Sequence, residues 1–247
     1  MKCLVLAAGY ATRLQPLTTN FPKPLLKVKG KTILDWLLDD IDKAKRINEY
    51  IIVSNHKFIN HFNSWKEKKK LSSKITIIDD GTETNETRLG AVVDIDLVIN
   101  KLNIDEELMV IAGDNLLDFS LVDFINYYDK KKATCIMRYY EENKEKIKKS
   151  SCVLTDDNDL VLEMNEKPLE PNSNWCCPPF YIYSREAVHE VSKAVQSDCA
   201  KDAPGSFISY LCHKMPIYAL EMPGKRYDIG TVENYQNVCE TYEGKRD

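Results

Sequence analysis

The sequence predicts an α/β fold: a doubly wound, mostly parallel (mixed) sheet with helices on both faces and an added β-hairpin region. Apolar strand runs at 3–6, 50–53 and 75–78 alternate with helical stripes, giving a β-α-β-α order with short connections and no internal repeat. The first run is apolar without alternation, which is the pattern of a strand covered on both faces. From Ser150 onward the strands shorten, and Asp156-Asp157-Asn158 forms a turn between runs at 152–155 and 160–164, which reads as a hairpin added to the parallel core.

After the first strand, Thr32 is placed to cap a helix whose stripe is Ile33, Leu34, Trp36, Leu37, Leu38 and Ile41. A strand at 49–54 leads to a helix over 57–70 with Phe58, Phe62 and Trp65 on one face. The Lys66-Glu67-Lys68-Lys69-Lys70 run reads as a solvated helix end that complements the dipole. A polar loop at 79–87 precedes a helix reaching Leu102, and further strands are expected at 107–112, 133–139, 180–183 and 216–221. Ser120 opens a helix to Tyr128, and Ser184 opens one with Ala187, Val188, Val191 and Val195 as its stripe. The turn at 202–207 enters another, and Thr231 caps the last, at 233–242. The alternating charges of 141–149 read as an exposed connection.

Composition narrows the class. A hydrophobic fraction of 43% and a charged fraction of 29% are globular values, and 247 residues suffice for a sizeable core. A net charge of −4 offers no general attraction to nucleic acid, so a nucleotide site must be a local positive patch. No apolar segment is long enough to span a bilayer, and Met1-Lys2 runs straight into a core strand, so no membrane partner and a cytoplasmic location are expected. The eight cysteines are scattered without a C-x-x-C pair, and Cys176-Cys177 has no partnering pair or histidine nearby, which favours packing over metal or redox use. None of the four histidines stands in a nucleophile-base pattern. Oligomeric state is not legible.

The stretch with most chemistry follows the first strand. Leu6, Ala7, Ala8, Gly9, Tyr10, Ala11, Thr12 and Arg13 bring small residues, a row of amide donors and a cation to the end of a buried strand, where an anion can be surrounded by N–H groups. The same small residues also suit a simple tight turn. Pro22-Lys23-Pro24 then holds a lysine between two residues of fixed φ, a restriction from which an ordinary solvated lysine gains nothing. Three further short motifs each admit a structural reading alone: Gly113-Asp114-Asn115 as a turn, Glu166-Lys167-Pro168 as a strand exit, and Asp228-Ile229-Gly230-Thr231 as a loop leading to a cap.

Taken in order, these stretches resemble the sugar-1-phosphate nucleotidylyltransferases (NDP-sugar pyrophosphorylases). Their signature runs apolar strand, L-(A/G)-(A/G)-G-x-G-T-R-L, x-P-L-T, P-K-P-L, then G-D, E-K-P and W-x-D-I-G-T. The resemblance covers almost the whole chain, and the expectation is the catalytic domain only, without an appended β-helix domain. One departure is Ala11, which stands where the family's second loop glycine is usual and leaves the loop conformation open. Tyr227 stands near the usual aromatic position.

The resemblance implies a Rossmann-like nucleotidyltransferase fold in a single catalytic domain over 1–247. A nucleotide-binding part is expected at about 1–140, an acceptor-binding part at about 150–230 and a C-terminal helix at 231–247. It implies transfer of a nucleoside monophosphate from a nucleoside triphosphate to a sugar 1-phosphate or similar phosphate monoester, with release of pyrophosphate. Arg13, Lys23, Asp114 and Asp228 would be catalytic, with Asp114 and Asp228 holding Mg2+. The loop residues 6–13, with Lys23, Asn85, Thr87, Leu89, Gly90 and Gly113, would bind the nucleotide, and Asn115, Glu166 and Lys167 the acceptor. Ala8 in place of glycine favours a pyrimidine triphosphate. Alternatives are a cytidylyltransferase for a non-sugar monoester such as phosphocholine, or a non-catalytic nucleotide-sensing relative. A glycosyltransferase would be expected to carry Asp-x-Asp after the central strand, where this chain has Gly113-Asp114-Asn115. A dinucleotide dehydrogenase would need glycine spacing that Gly9-Tyr10-Ala11 lacks.

Overall fold

The computed structural model describes residues 1–245, so positions 246 and 247 of the expected C-terminal segment lie outside the described residues. The elements in chain order are β1 (Lys2–Leu6), β2 (Lys27–Val28), β3 (Lys31–Thr32), α1 (Ile33–Ile41), β4 (Glu49–Ser54), α2 (Ile59–Lys68), β5 (Lys74–Asp79) and α3 (Ala91–Leu102). There follow β6 (Leu108–Ala112), β7 (Leu116–Leu117), α4 (Val122–Lys131), β8 (Thr134–Tyr140), α5 (Lys144–Ile147), β9 (Ser151–Thr155), β10 (Val161–Glu166) and β11 (Trp175–Cys177). The last are β12 (Phe180–Tyr183), α6 (Arg185–Gln196), α7 (Gly205–Leu211), β13 (Ile217–Glu221), β14 (Arg226–Tyr227) and α8 (Val232–Thr241). No helix among the described residues is long and apolar enough to cross a membrane.

The chain forms two compact units drawn from interleaved stretches. The first holds Met1–Arg88, Ala112–Asp123 and the residues from Pro223 onward; the second holds Leu89–Ile111 and Phe124–Met222.

In the first unit β1 pairs in parallel with β4, and β4 in parallel with β5. The unbroken apolar run of β1 has the reason expected of it, since Cys3, Leu4 and Val5 are completely buried. Thr32 caps α1 by accepting a bond from the Asp35 amide at 3.0 Å. Two small antiparallel ribbons, β2 with β3 and β7 with β14, are too short to leave a periodic signal. Buried Asp40 accepts from the Leu121 amide at 2.7 Å, the Ser120 hydroxyl at 3.0 Å and the Lys245 ammonium at 2.7 Å, tying α1 to the entrance of α4 and to the chain's last described residue.

In the second unit the strands run β10-β9-β11-β8-β12-β6, all antiparallel to their neighbours, with β13 parallel to β8. The sheet pattern is therefore mixed, as expected, but it is not mostly parallel: β1, β4 and β5 pair in parallel, whereas the second unit is largely antiparallel because its strands at 134–183 pair as antiparallel neighbours. The hairpin β9–β10 stands where the turn residues put it, with the Asp156 carboxylate accepting from the Asn158 and Leu160 amides at 2.8 and 2.9 Å. The 141–149 segment is not merely a connection. Asn143 caps the single turn α5, and buried Ile147 anchors it against Cys152 and Cys176. All eight cysteines are free thiols.

Glu49, at the start of β4, binds β1 and β5 together from a buried position. It accepts from Lys2 at 2.5 Å, Thr76 at 2.6 Å and Lys74 at 3.1 Å. Burial alone would raise its pKa, but these donors reverse that and lower it from 4.5 to about 2. A carboxylate with a depressed folded pKa contributes stability above its unfolded value and loses it as pH falls through the folded one. Glu49→Gln is expected to flatten the acid limb of a denaturation profile between pH 4.5 and about 2. A limb of unchanged slope would assign acid sensitivity to other carboxylates.

Candidate functional site

The loop after β1 leaves the sheet through a bond from the Ala7 amide to the Val53 carbonyl at 2.9 Å. Its carbonyls are then tied back: Asn55 Nδ2 donates to Ala8 O at 2.8 Å, and Thr18 Oγ1 donates to Ala11 O at 2.8 Å. The amides of Ala8, Gly9, Tyr10 and Ala11 have no hydrogen-bond acceptor among the described residues. A loop whose carbonyls are held while its N–H groups are unspent is a donor array for an anion. Tyr10 turns its ring into the core and pairs its hydroxyl with Thr82 Oγ1 at 3.2 Å, so its side chain serves the scaffold. Ala11 resolves the departure noted in the sequence. It adopts φ 46°, ψ 44°, the left-handed conformation that glycine takes without strain, at a cost of roughly 1 kcal/mol. Thr12–Leu14 follows as a 3₁₀ turn, with Thr12 and Arg13 exposed, and the Arg13 guanidinium has no partner among the described residues.

Lys23 opens a second 3₁₀ turn, with Pro22 extended before it and Pro24 inside it. Its buried ammonium donates to Asp114 Oδ2 at 2.7 Å. Asp114 is carried there by Gly113, whose amide bonds to Leu6 O at 3.0 Å. A Cβ at position 113 would stand 2.7 Å from Val5 Cγ1 and 3.4 Å from Pro24 Cγ, so glycine is required by close approach. Asn115, almost fully buried, donates to Asp114 Oδ1 at 3.0 Å and accepts from Arg226 Nη1 at 3.1 Å. Partial burial works against ionisation of Asp114, but the charge and hydrogen bond of Lys23 and the charge of Arg226 outweigh it and hold the carboxyl below its ordinary range.

Asp228 lies next to the β7–β14 ribbon. Tyr227 lies opposite Leu116 and Arg226 opposite Leu117, and exposed Asp228 is the residue that follows the ribbon, as Asn115 is the residue that precedes it. The first unit thus brings together Lys23, Gly113, Asp114 and Asn115, with Arg226 bonded to Asn115, and carries Asp228 two residues after Arg226. Asn85 and Thr87, also in this unit, form a 3₁₀ turn closed by a capping box in which Thr87 Oγ1 bonds the backbone of Thr84.

The remaining expected residues belong to the second unit. Gly90, at φ 94°, begins α3 where a Cβ would meet the Lys201 carbonyl at 2.6 Å, and the Ala91 and Val92 amides are spent on the Asp202 and Lys201 carbonyls at 3.2 and 3.1 Å. Leu89 precedes it, half-buried. Glu166 ends β10 and lines a cavity of about 500 Å³, while exposed Lys167 follows at φ 48° with its amide bonded to Ser150 O at 3.0 Å.

Sequence reasoning overlooked Asn55 and Arg226. Asn55 is a polar residue at the end of a fully buried strand, which was a usable signal. Arg226 lies two residues before Asp228, but only the β14–β7 pairing turns it towards Asn115.

A strand-end loop with unspent amides and a Lys–Asp pair beside it is the arrangement of an anion-receiving site in an α/β protein. The comparisons make this specific: the nucleotidyl transferase family profile matches residues 2–245, and the chain belongs to that family. It is 24% identical over 242 residues to UTP–glucose-1-phosphate uridylyltransferase of Synechocystis sp., covering 95% of this chain and 61% of that one. It is 27% identical over 232 residues to the bifunctional protein GlmU of Methanocaldococcus jannaschii, covering 93% and 51%. With UTP–glucose-1-phosphate uridylyltransferase AglF of Haloferax volcanii it shares 25% over 248 residues, covering 95% and 93%. The chain therefore spans about half to three fifths of the first two relatives and nearly all of the third. The structure of apo UDP-glucose pyrophosphorylase has the same fold, with a TM-score of 0.82 and 19% identity over 98% of both chains.

Gly113→Ala is expected to lower the thermal midpoint by several degrees, since overpacking of this kind typically costs about 1–3 kcal/mol. An unchanged melting curve would show that Val5 and Pro24 yield freely.

Proposed function

We propose that this chain is a nucleotidylyltransferase that transfers a nucleoside monophosphate from a nucleoside triphosphate to a sugar 1-phosphate or similar phosphate monoester, forming an NDP-sugar and pyrophosphate. The observation that carries the reading is the Lys23–Asp114 pair at 2.7 Å, set on the rim of a loop with unspent amide donors, in a member of this family. The names of the relatives, uridylyl-, adenylyl- and guanyltransferases of sugar phosphates, support the reaction class. Ala8 in the loop and two relatives named for UTP support a pyrimidine triphosphate.

In the reaction a monoester oxygen attacks the α-phosphorus, the new P–O bond forms, the α–β bridge breaks, and pyrophosphate leaves with the electron pair. The attacking phosphate is already ionised, so no protein nucleophile is needed. The work is neutralisation and in-line positioning of two anions. The loop amides would receive the triphosphate. Lys23 has three N–H donors, of which Asp114 takes one, leaving the others for phosphate oxygens. Exposed Arg13 would meet charge growing on the pyrophosphate, and Lys167 would hold the acceptor phosphate.

The donor set fits Mg2+. Asp114 and Asp228 would offer hard carboxylate oxygens, the donor type Mg2+ takes together with phosphates and water. Bound there, such an ion would supply charge stabilisation on the phosphate oxygens.

Pyrophosphate release from a matrix of triphosphates and phosphate monoesters with Mg2+ tests the reading. Asp114→Asn and Asp228→Asn are each expected to reduce turnover by at least about two to three powers of ten while the circular dichroism spectrum is retained. Turnover near wild type in either variant removes that residue from the metal site, and no pyrophosphate from any pair removes the activity.

A further inference from the structure

The cavity in the second unit is bounded by Met164, Asn165 and Glu166 of β10 and by the segment around Cys199, Ser209 and Tyr210. Glu166 is the carboxylate in it whose surroundings are most constrained. In the β9–β10 register it lies directly opposite Ser151, and the Ser151 hydroxyl donates to its Oε2. Ser151 is nearly buried and does not line the cavity; it stands behind the carboxylate. Oε1 has no hydrogen-bond partner among the described residues. The start of α7 closes the arrangement: a Cβ at Gly205 would stand 2.5 Å from Ser151 Oγ, 2.6 Å from Glu166 Oε2 and 2.9 Å from Met164 Cε. The helix start thus approaches the hydroxyl–carboxylate pair closely, with glycine at the point of contact.

We propose that Ser151 is a positioning residue for the acceptor: it holds Glu166 by one oxygen so that the other accepts a hydroxyl or amine hydrogen from the organic group of the phosphate monoester. The inference rests on reading this site as the acceptor site, and it deepens that reading by choosing the acceptor class. A polyhydroxylated monoester has a hydrogen to give to Oε1, whereas the quaternary ammonium of phosphocholine has none.

Isothermal titration calorimetry on the full chain separates the possibilities without requiring turnover. The titrants are α-D-glucose 1-phosphate, phosphocholine and UTP. Ser151→Ala is expected to weaken glucose 1-phosphate about 5- to 10-fold, the scale of one ordinary net hydrogen bond, and to leave UTP affinity within about twofold. Ser151→Cys, of similar size but a weak donor, is expected to behave alike and guards against failure of the alanine variant to fold. In a Glu166→Ala background the Ser151 substitution should add nothing, because the two residues act as one unit. The proposal is overturned if glucose 1-phosphate affinity is untouched, if UTP is weakened equally, if the loss persists without Glu166, or if the wild type binds phosphocholine and not glucose 1-phosphate. Pyrophosphate release by the wild type is scored separately. Its absence alongside the expected binding pattern would sink the transfer reaction and leave the role of Ser151 standing.

Discussion

The site in the first unit depends on one apolar cluster. Leu14, Leu26, Leu116 and Ile229 all lie in it, with Val28, Ile33, Val238 and Tyr242. Each of the first four is the hydrophobic neighbour of a site residue: Leu14 follows Arg13, Leu26 closes the turn begun by Lys23, Leu116 follows Asn115, and Ile229 follows Asp228. Four segments far apart in the chain thus bury one residue each in a common core and present a polar residue at its edge. The hydrophobic effect sets which segments meet, and backbone geometry sets which way the charges face. A cation and two carboxylates would not assemble by mutual attraction alone, because desolvation offsets much of that attraction.

The Lys23–Asp114 pair illustrates the balance. Lys23 is 9% exposed, while the Asp114 side chain is 41% exposed, so the lysine bears most of the burial and the carboxylate still faces solvent. Proline on both sides limits the backbone freedom that Lys23 loses on folding. Asn115 and Arg226 then brace the carboxylate from the other side. The result is a carboxylate held ionised and oriented, with a cation already beside it.

Much of this was legible in the sequence because motif residues sit at strand ends, and strand ends are marked by an abrupt change from apolar runs to small or charged residues. The strands β1, β4, β5, β6, β8 and β12, the caps Thr32, Ser184 and Thr231, and the β9–β10 turn all announce themselves in this way. What escaped were features that exist only through pairing between distant segments. The two-residue strands β7 and β14 are too short for any period, yet their register is what turns Arg226 onto Asn115. The three-residue β11 and the single turn α5 are stabilised by tertiary burial of Cys176 and Ile147, which propensity does not report. Ser151 lies just outside the strand expected at 152–155, and only the hairpin register places it across from Glu166.

Ala11 shows where local preference yields to the site. Glycine would occupy φ 46° without strain, whereas alanine opposes it with its Cβ. The surrounding structure over-determines the conformation: the Ala11 carbonyl is bound by both Thr18 Oγ1 at 2.8 Å and the Leu14 amide at 3.0 Å, and the residue packs against the same apolar cluster. Two hydrogen bonds at about 1 kcal/mol each match or exceed the conformational cost of roughly 1 kcal/mol. The alanine also has fewer conformations to lose from the unfolded chain than glycine has, which offsets part of that cost. Within the stretch 7–14 the left-handed conformation is thus confined to Ala11, and the bonds that its carbonyl accepts hold it there.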